Sequence, residues 1–347
     1  MRFNNRTILA AVVVGLLLGV ASFAAADDAS VVYLEGDPEL RRASGGTDWI
    51  DFGSVLRSGD SVVTGRSDFV ELEQGAAATI RVNANTVFTI REVERGGQRE
   101  TVMSNSVGSV GYRFSQVAGR REPRVGTSTT VAGVRGTELT IFAGADGSSL
   151  FVVESGEVEV TSAGQSVSLL ANEGVEVPAG GPPGEKFEII GRAVDFAEWN
   201  EGKFEQFLAD PVAAVEGVGA QLREYYAELD ELRGLYADAR ERYDVVYADL
   251  LAAVEEHGRE SSEADEIRTA LDPLINETTV HFFNIRYYGL TALSLRRHVL
   301  GQMYVQMRSR NILNTGDPTY RAFLAEYQEI IREFEERATE ELVAVDI

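Results

Sequence analysis

The chain has 347 residues, a formal net charge of −23 and no cysteine. A negative charge of this size would repel a polyphosphate, which argues against nucleic acid as a partner. The absence of cysteine excludes both disulfides and a lipid-modified N-terminal cysteine, so the folded chain depends on its hydrophobic cores alone.

The first segment of the chain, residues 1–26, has the features of a secretory signal. Two arginines are followed by an uncharged apolar run over residues 8–20, and a triplet of alanines ends the segment. This order is typical of a signal peptide cleaved at an Ala-x-Ala site. An uncleaved membrane anchor is the alternative, because residues 8–26 are nearly long enough to span a bilayer. We favour cleavage after about Ala26 and expect a periplasmic or exported protein.

Residues 27–183 are predicted to form an all-β domain. Turn sequences separate short runs rich in Gly, Val, Thr and Ser, and no helical apolar period is evident. The spacing predicts roughly a dozen strands of ordinary length in a rolled or double-layered sheet. Within residues 124–141, strand-forming threonines and valines surround Gly133 and Gly136, which can take positive φ, and an alternating run follows. This segment predicts a strand, a tight corner and a second strand.

The same segment resembles a signature of FecR-like domains, bacterial periplasmic modules named after the regulator of ferric-citrate uptake. Its sequence Thr-Ser-Thr-Thr-Val-Ala-Gly-Val-Arg-Gly-Thr-Glu-Leu has Ser128 where the family usually has Pro and Leu139 where it usually has Phe. Segments similar to the family's opening strands and closing hairpins occur in the expected order, at residues 59–65, 69–73, 79–82, 85–90, 150–160 and 167–177. The resemblance covers about residues 53–180 and implies an all-β fold.

The resemblance also implies a type of function. The iron-uptake regulators of this family cross the inner membrane, contact a sigma factor on the cytoplasmic side and sense a loaded outer-membrane transporter on the periplasmic side. Too few residues precede the apolar run here to form a sigma-binding segment, so we expect that role not to transfer whole. The part of the family's role that the resemblance still implies for this chain is that of an exported recognition module.

The corner of the motif is the candidate binding site in the β domain, formed by Arg135, Gly136, Thr137 and Glu138. As a functional element, this corner would contact a partner. In the structural interpretation, which we favour, Arg135 folds over the corner and Glu138 balances its charge.

The second half of the chain, residues 184–347, is predicted to be an acidic α-helical domain that follows a Gly-Pro linker at residues 180–184. Helices are predicted over about residues 187–208, 211–257, 262–311 and 317–343. Two Asp-Pro pairs mark starts, at Asp210 and Asp317, with each Asp as the cap and each Pro in the first turn.

The second predicted helix has an apolar seam with a heptad spacing. The seam comprises Leu222, Tyr225, Leu229, Leu232, Tyr236, Ala239, Tyr243, Val246, Leu250 and Ala253. It predicts an antiparallel helical bundle or coiled coil, closed within one chain or between two copies in a homo-oligomer.

The charges of the helical half are unevenly distributed. Residues 278–316 contain no Asp or Glu but include Arg286, Arg296 and Arg297. We favour pairing of these arginines with the acidic second helix, and an anion-binding or partner-docking face is the alternative. A second basic group precedes the motif, at Arg113, Arg120, Arg121 and Arg124, and a solvated loop is favoured over an anion site there.

No catalytic set stands out in the sequence. His257, His281 and His298 have no zinc-type spacing, and neither a nucleophile elbow nor a phosphate-binding loop occurs. We therefore predict no catalytic residues, no metal and no cofactor. The function predicted is a non-enzymatic periplasmic signalling accessory or interaction scaffold that binds a protein through its β domain and docks through its helices. The alternative is a structural cell-envelope or adhesin-like protein that binds glycan or peptidoglycan.

Overall fold

The computed structural model describes residues 28–75, 78–95, 98–115, 123–189 and 194–341. The predicted signal segment and the basic residues Arg120 and Arg121 lie outside the described residues. Fifteen strands occur in the part of the chain described, and all belong to one connected sheet. They are β1 (Ala29–Glu35), β2 (Glu39–Arg41), β3 (Thr47–Trp49), β4 (Val55–Leu56), β5 (Ser61–Val63), β6 (Phe69–Gln74), β7 (Ala78–Val82), β8 (Val87–Arg95), β9 (Gln98–Phe114), β10 (Arg124–Thr127), β11 (Val131–Ala143), β12 (Ser149–Ser162), β13 (Gln165–Leu170), β14 (Glu173–Val177) and β15 (Phe187–Glu188).

Three long strands, β9, β11 and β12, bend at a glycine with positive φ. These glycines are Gly108 at 89°, Gly136 at 55° and Gly156 at 86°. A Cβ built on Gly156 would lie 2.7 Å from the carbonyl oxygen of Gly136, so the bends of β11 and β12 are stacked too closely for a side chain. The corner predicted in the motif is therefore a bend inside β11, centred on Gly136, whereas Gly133 has no positive φ.

The bends let each long strand pair with different neighbours at its two ends. The first half of β9 pairs with β8 and the second half with β7 and β11. Likewise, one end of β12 pairs with β14 and the other with β13. The sheet consequently rolls around a single core that includes Val134, Leu139, Ile141 and Val158, all fully buried.

The chain continues into helices, so the predicted fold class of a β domain followed by an α domain is confirmed. The helices are α1 (Phe196–Ala209), α2 (Pro211–His257), α3 (Ser262–Ser294), α4 (Gly301–Arg310) and α5 (Pro318–Glu341). A π turn (Leu295–Leu300) joins α3 to α4 without a break. None of the helices among the described residues combines the length and the apolar character that crossing a bilayer requires.

Both predicted Asp-Pro starts are confirmed. A side-chain oxygen of Asp210 accepts from the amide of Ala213 at 3.1 Å, and one of Asp317 accepts from the amide of Tyr320 at 2.9 Å. Each aspartate thus satisfies an amide that the first turn of its helix leaves without an intrahelical partner.

The predicted start of the first helix, near residue 187, is wrong. Phe187–Glu188 forms β15, which pairs with β14 and lies beyond the predicted domain boundary at residue 183. Helix α1 begins only at Phe196, because Asp195 caps it by accepting from the amides of Ala197 and Glu198.

Helices α2 and α3 form an antiparallel hairpin. Every residue of the predicted seam on α2 is buried or half-buried. The predicted pairing of Arg286, Arg296 and Arg297 with α2 does not hold for Arg296, which lies in the π turn and forms its ion pair with Glu335 of α5, at 3.8 Å. The pair that joins α2 to α3 has the opposite polarity, with Arg242 on α2 and Glu277 on α3.

Candidate functional site

The Ser-Thr turn of the motif, residues 127–130, lies in the contact between the two domains. Thr127 and Ser149 have hydroxyl oxygens 2.7 Å apart, and the Thr129 hydroxyl donates to the carbonyl of Gly147 at 3.1 Å. The carbonyl of Ser128 accepts from the hydroxyl of Tyr225 on α2. Burial raises the pKa of Tyr225 well above its usual value, so this hydroxyl stays protonated and remains a donor. The motif therefore holds the helical domain in place.

A second contact joins β8 and β9 to α3. Arg91 on β8 donates to the hydroxyl of Ser104 at 3.1 Å and to the carbonyl of Leu290 at 3.4 Å. The hydroxyl oxygens of Ser106 and Ser294 lie 2.5 Å apart across the same contact. A small apolar cluster, formed by Val93, Val102, Tyr287 and Tyr288, also joins β8 and β9 to α3.

Helix α1 forms a third contact with the β domain. Lys203 is 6% exposed and forms an ion pair with Glu176 on β14, which also accepts from the indole of Trp199 at 3.2 Å. The rings of Phe142 and Phe196 stack with their centroids 5.7 Å apart. Polar and aromatic contacts together fix α1 on the sheet.

The corner predicted as a binding site is occupied by bonds within the domain. Glu138 accepts from Arg113 at 2.5 and 3.1 Å, and this bond raises the pKa of Arg113. Thr137 donates to the carbonyl of Glu157 at 3.0 Å. The side chain of Arg135 lies outside what the structure describes, so the predicted binding role of the corner stays a prediction. Its neighbours contribute to the structure of the bend.

The remaining described member of the basic group before the motif is also paired. Arg124 lies 3.2 Å from Glu100 across β10 and β9. Since Arg113 bonds to Glu138, both described arginines of this group have carboxylate partners. Because their charges are already balanced by these carboxylates, the two arginines attract an external anion less strongly.

The three arginines predicted as a face on the third helix point to different surroundings. Arg296 lies over the ring of Phe334, at 5.1 Å, besides its pair with Glu335. Arg286 reaches the β domain, where its guanidinium would lie 3.2 Å from a Cβ on Gly59. Arg297 is exposed. The structure therefore does not bring these three together as one surface.

The charge state of His298, in contrast, depends on arginines that sequence analysis did not connect with it. Burial, together with the smaller effect of the charges of Arg297, Arg41 and Arg91, lowers the pKa of His298 to about 4. Arg41 and Arg91 belong to β2 and β8, far from Arg297 in the chain. The sequence of β8 mixes apolar with charged residues, so it did not mark Arg91 as a buried arginine.

An exposed aromatic segment that runs from the end of β3 to the start of β4 was also missed. Trp49 is 85% exposed and Phe52 is 75% exposed, and Val55 beside them is partly exposed. Trp49 and Phe52 precede the region that resembles FecR-like domains, about residues 53–180, and Val55 lies just inside it, so the resemblance did not point to them. The signal that could have found them is a Trp and a Phe within a turn-rich segment.

A cavity of about 350 Å³ lies between α2 and α5. Four of the five charges that line it are paired across it, Arg223 with Glu333 and Arg337 with Asp230, and the fifth, Glu336, pairs with Arg332 of its own helix. The two pairs across the cavity join the two helices. Among the described residues, no group of three or more His, Cys, Asp or Glu side chains is placed to hold a metal ion.

Comparison with known proteins gives no family assignment. No family model and no curated protein matches the chain. Two crystal structures of a putative anti-sigma factor from Parabacteroides distasonis are similar to part of it, at 17% and 18% sequence identity and a TM-score of 0.31 each. Each comparison covers 37% of this chain, and the chain spans 59% of the length of that protein. At this TM-score the likeness assigns neither a fold nor a function.

Proposed function

We propose that this protein is an exported, non-enzymatic FecR-like binding module that acts as a signalling accessory or interaction scaffold. It binds a protein partner through its β domain, and its helices add a docking surface. The observation that carries the proposal is the exposure of Trp49 and Phe52 in one short segment. Large aromatic side chains are enriched in protein interfaces, and a partner that covers Trp49 and Phe52 would remove a large apolar area from water.

The contacts between the domains support a scaffold role. Tyr225, Arg91 and Lys203 each bond a different part of the helical domain to the sheet. Helices fixed in this way present their outer surfaces at a defined position relative to the aromatic segment. A partner could then bind both surfaces without first ordering the protein.

The helical docking surface is the outer end of the α2–α3 hairpin. Val245, Leu251 and Ile275 are exposed there, at 60%, 46% and 37%. An apolar face of this kind suits either a partner helix or a second copy of the chain. Export, the third part of the proposal, rests on the signal features of residues 1–26.

The proposal is tested by crosslinking in the native envelope. A photoreactive phenylalanine replaces Phe52 in one variant and Leu313 in a control, since Leu313 is 98% exposed in the helical half. A third variant carries the group at Arg135, the corner predicted from sequence. We expect one protein partner to be recovered through position 52 and not through position 313.

A binding measurement then follows with that purified partner. We expect Trp49→Ala to weaken its affinity by about 30-fold, the effect of losing an interface anchor of about 2 kcal/mol. Leu313→Ser is the matched control and should leave the affinity unchanged. Recovery of glycan fragments alone, together with co-sedimentation with insoluble peptidoglycan, would instead support the cell-envelope alternative. Equal crosslinking at positions 52 and 313 would refute both.

A further inference from the structure

The turn between α4 and α5, residues 311–317, exposes two large apolar side chains next to each other. Ile312 is 69% exposed and Leu313 is 98% exposed, and Val305 on the outer face of α4 is 53% exposed. Met307, on the opposite side of α4, is 4% exposed and belongs to the helical core. The apolar residues of the turn are therefore not part of that core, and they protrude into solvent.

Backbone hydrogen bonds hold the turn as a compact unit. The amide of Asn311 donates to the carbonyl of Met307 at 3.1 Å, and the amide of Asn314 donates to the carbonyl of Asn311 at 3.0 Å. The amide of Asp317 then donates to Asn314 at 3.1 Å, and that of Arg321 to Asp317 at 3.0 Å. Since these amides have partners inside the turn, the turn can leave water without stranding them.

Three exposed arginines flank the apolar pair. They are Arg308 and Arg310 at the end of α4 and Arg321 in the first turn of α5. No carboxylate among the described residues forms an ion pair with them. Asp317 is the one acid within residues 278–325, and its side chain caps α5. We call Arg308, Arg310, Ile312, Leu313 and Arg321 the basic turn.

The lack of ion pairs distinguishes the basic turn from much of the helical domain. Several arginines elsewhere in that domain do form ion pairs, among them Arg223, Arg240, Arg242, Arg332 and Arg337. The positive charge of the basic turn is consequently available to an external anionic group, although the chain as a whole carries −23.

The basic turn and the acidic turn of the α2–α3 hairpin lie at opposite ends of one helical segment. This segment, residues 262–310, runs from α3 through the π turn to α4 and is about 70 Å long by its helical rise. Residues 255–266, at its other end, contain six acidic residues and one arginine. Because that separation far exceeds the screening length in physiological salt, these acids do not cancel the charge of the basic turn.

We propose that the basic turn binds an anionic phospholipid surface. The apolar pair enters the boundary between headgroups and acyl chains, and the arginines attract the lipid phosphates. A protruding pair of this kind needs a matching pocket on a protein, whereas the lipid interior accepts it without one. This site is separate from the aromatic segment and does not depend on the function proposed for it. Since Leu313 faces lipid and not the protein partner, its substitution leaves the proposed protein binding unchanged.

The first test places a fluorophore on the turn. The full chain has no cysteine, so a single introduced cysteine can be labelled with an environment-sensitive dye. Leu313→Cys carries the dye on the turn, and Leu170→Cys is the matched control, since Leu170 is a 53% exposed leucine of β13. Phosphatidylglycerol vesicles should shift the emission of the dye at position 313 to shorter wavelengths and leave that at position 170 unchanged.

Two further comparisons belong to this test. Phosphatidylcholine vesicles should shift the emission at neither position, because they carry no net charge to attract the arginines. Any lipid binding by the apolar run of residues 8–20 is common to both labelled variants. The difference between positions 313 and 170 therefore reports on the turn alone.

A second test changes the charge of the turn. In the labelled Leu313→Cys protein, Arg310→Ala should raise the phosphatidylglycerol concentration at half-maximal shift about fivefold, the effect of one arginine near an anionic surface. Arg240→Ala is the matched control, because Arg240 is an exposed arginine of α2 and its loss changes the net charge equally. This control should leave the titration unchanged. Both arginines are exposed, so neither substitution disturbs the core.

The proposal is overturned if phosphatidylglycerol gives no shift at position 313, or equal shifts at positions 313 and 170. Equal effects of Arg310→Ala and Arg240→Ala would also overturn it, since they would show attraction by overall charge alone. Capture of a protein by photocrosslinking through position 313, without any response to vesicles, would assign the turn to a protein interface instead.

Discussion

The two halves of helix α2 share one sequence pattern but differ in how far they are buried. In the proximal half, residues 211–236, Leu222 and Leu229 are 1% and 3% exposed and belong to a core shared with α5 and the π turn. In the distal half, residues 239–257, the seam positions Val246 and Leu250 are only half-buried.

The difference arises from the number of neighbours and not from the seam itself. Two helices side by side cover only the stripe at which they face each other, and full burial requires a third element. The proximal half has that third element, whereas the distal half faces the N-terminal part of α3, as the Arg242–Glu277 pair shows. An apolar period thus predicts which face of a helix is covered, and tertiary context decides how completely.

The largest expected effect compares a leucine from each half. Leu222→Ala should lower the free energy of unfolding by about 3 kcal/mol, because it leaves a cavity in a packed core. Leu250→Ala should lower it by about 1 kcal/mol or less, because its side chain is already partly in water. Urea denaturation followed by circular dichroism measures both values. Equal losses would show that the distal half is as tightly packed as the proximal half.

The next effect concerns the pH dependence of the free energy of unfolding, to which His298 of the π turn contributes. The pKa of His298 is lowered to about 4 in the folded protein and is about 6.5 in an unfolded chain. Between these values the unfolded chain binds more protons, so the stability contributed by neutral His298 is present above pH 6.5 and is lost as the pH falls towards 4. The loss is on the order of 2 kcal/mol.

A variant separates this effect from the titration of the many carboxylates. His298→Gln cannot gain a proton at this position, so its free energy of unfolding should fall less than that of the unmodified protein between pH 6.5 and 4. Denaturation curves over this range, in phosphate-free buffer, measure the difference. Parallel pH profiles for the two proteins would rule out a neutral, buried His298.

The smallest effect tests the bond between the motif turn and the proximal half. Tyr225→Phe removes the donor to the Ser128 carbonyl and should cost about 1–2 kcal/mol, because that carbonyl stays buried. Tyr247→Phe makes the same change in the distal half and should stay within about 0.5 kcal/mol. Thermal unfolding compares the two variants. A neutral Tyr225→Phe would mean that the hydroxyl adds little to the docking of α2.

Local chemistry made several elements predictable from the sequence. The caps at Asp210 and Asp317, the bend at Gly136 and the seam of α2 each depend on residues close together in the chain. The start of α1 was missed because the pairing of the two-residue strand β15 with β14 depends on tertiary contact. A segment of two residues has too weak a strand propensity to be predicted as a strand from the sequence alone.

The candidate site was less predictable than the fold. Arg91 was missed because its partner Leu290 belongs to a helix in the other half of the chain. Trp49 and Phe52 were missed because exposure of an aromatic side chain depends on what the rest of the chain leaves uncovered. The turn at residues 127–130 was missed, because threonine is a strand-forming residue, and its role in holding the helices followed only from its contact with Tyr225.

The central claim is that the β domain and the proximal half of the hairpin form one cooperative unit from which the distal half extends. Native-state hydrogen exchange tests it most directly, because it gives an opening free energy for each segment. The account predicts equal, high opening free energies for residues 127–130 and 215–229, and a clearly lower value for residues 243–254. Early exchange of residues 215–229 while residues 127–130 stay protected would contradict it.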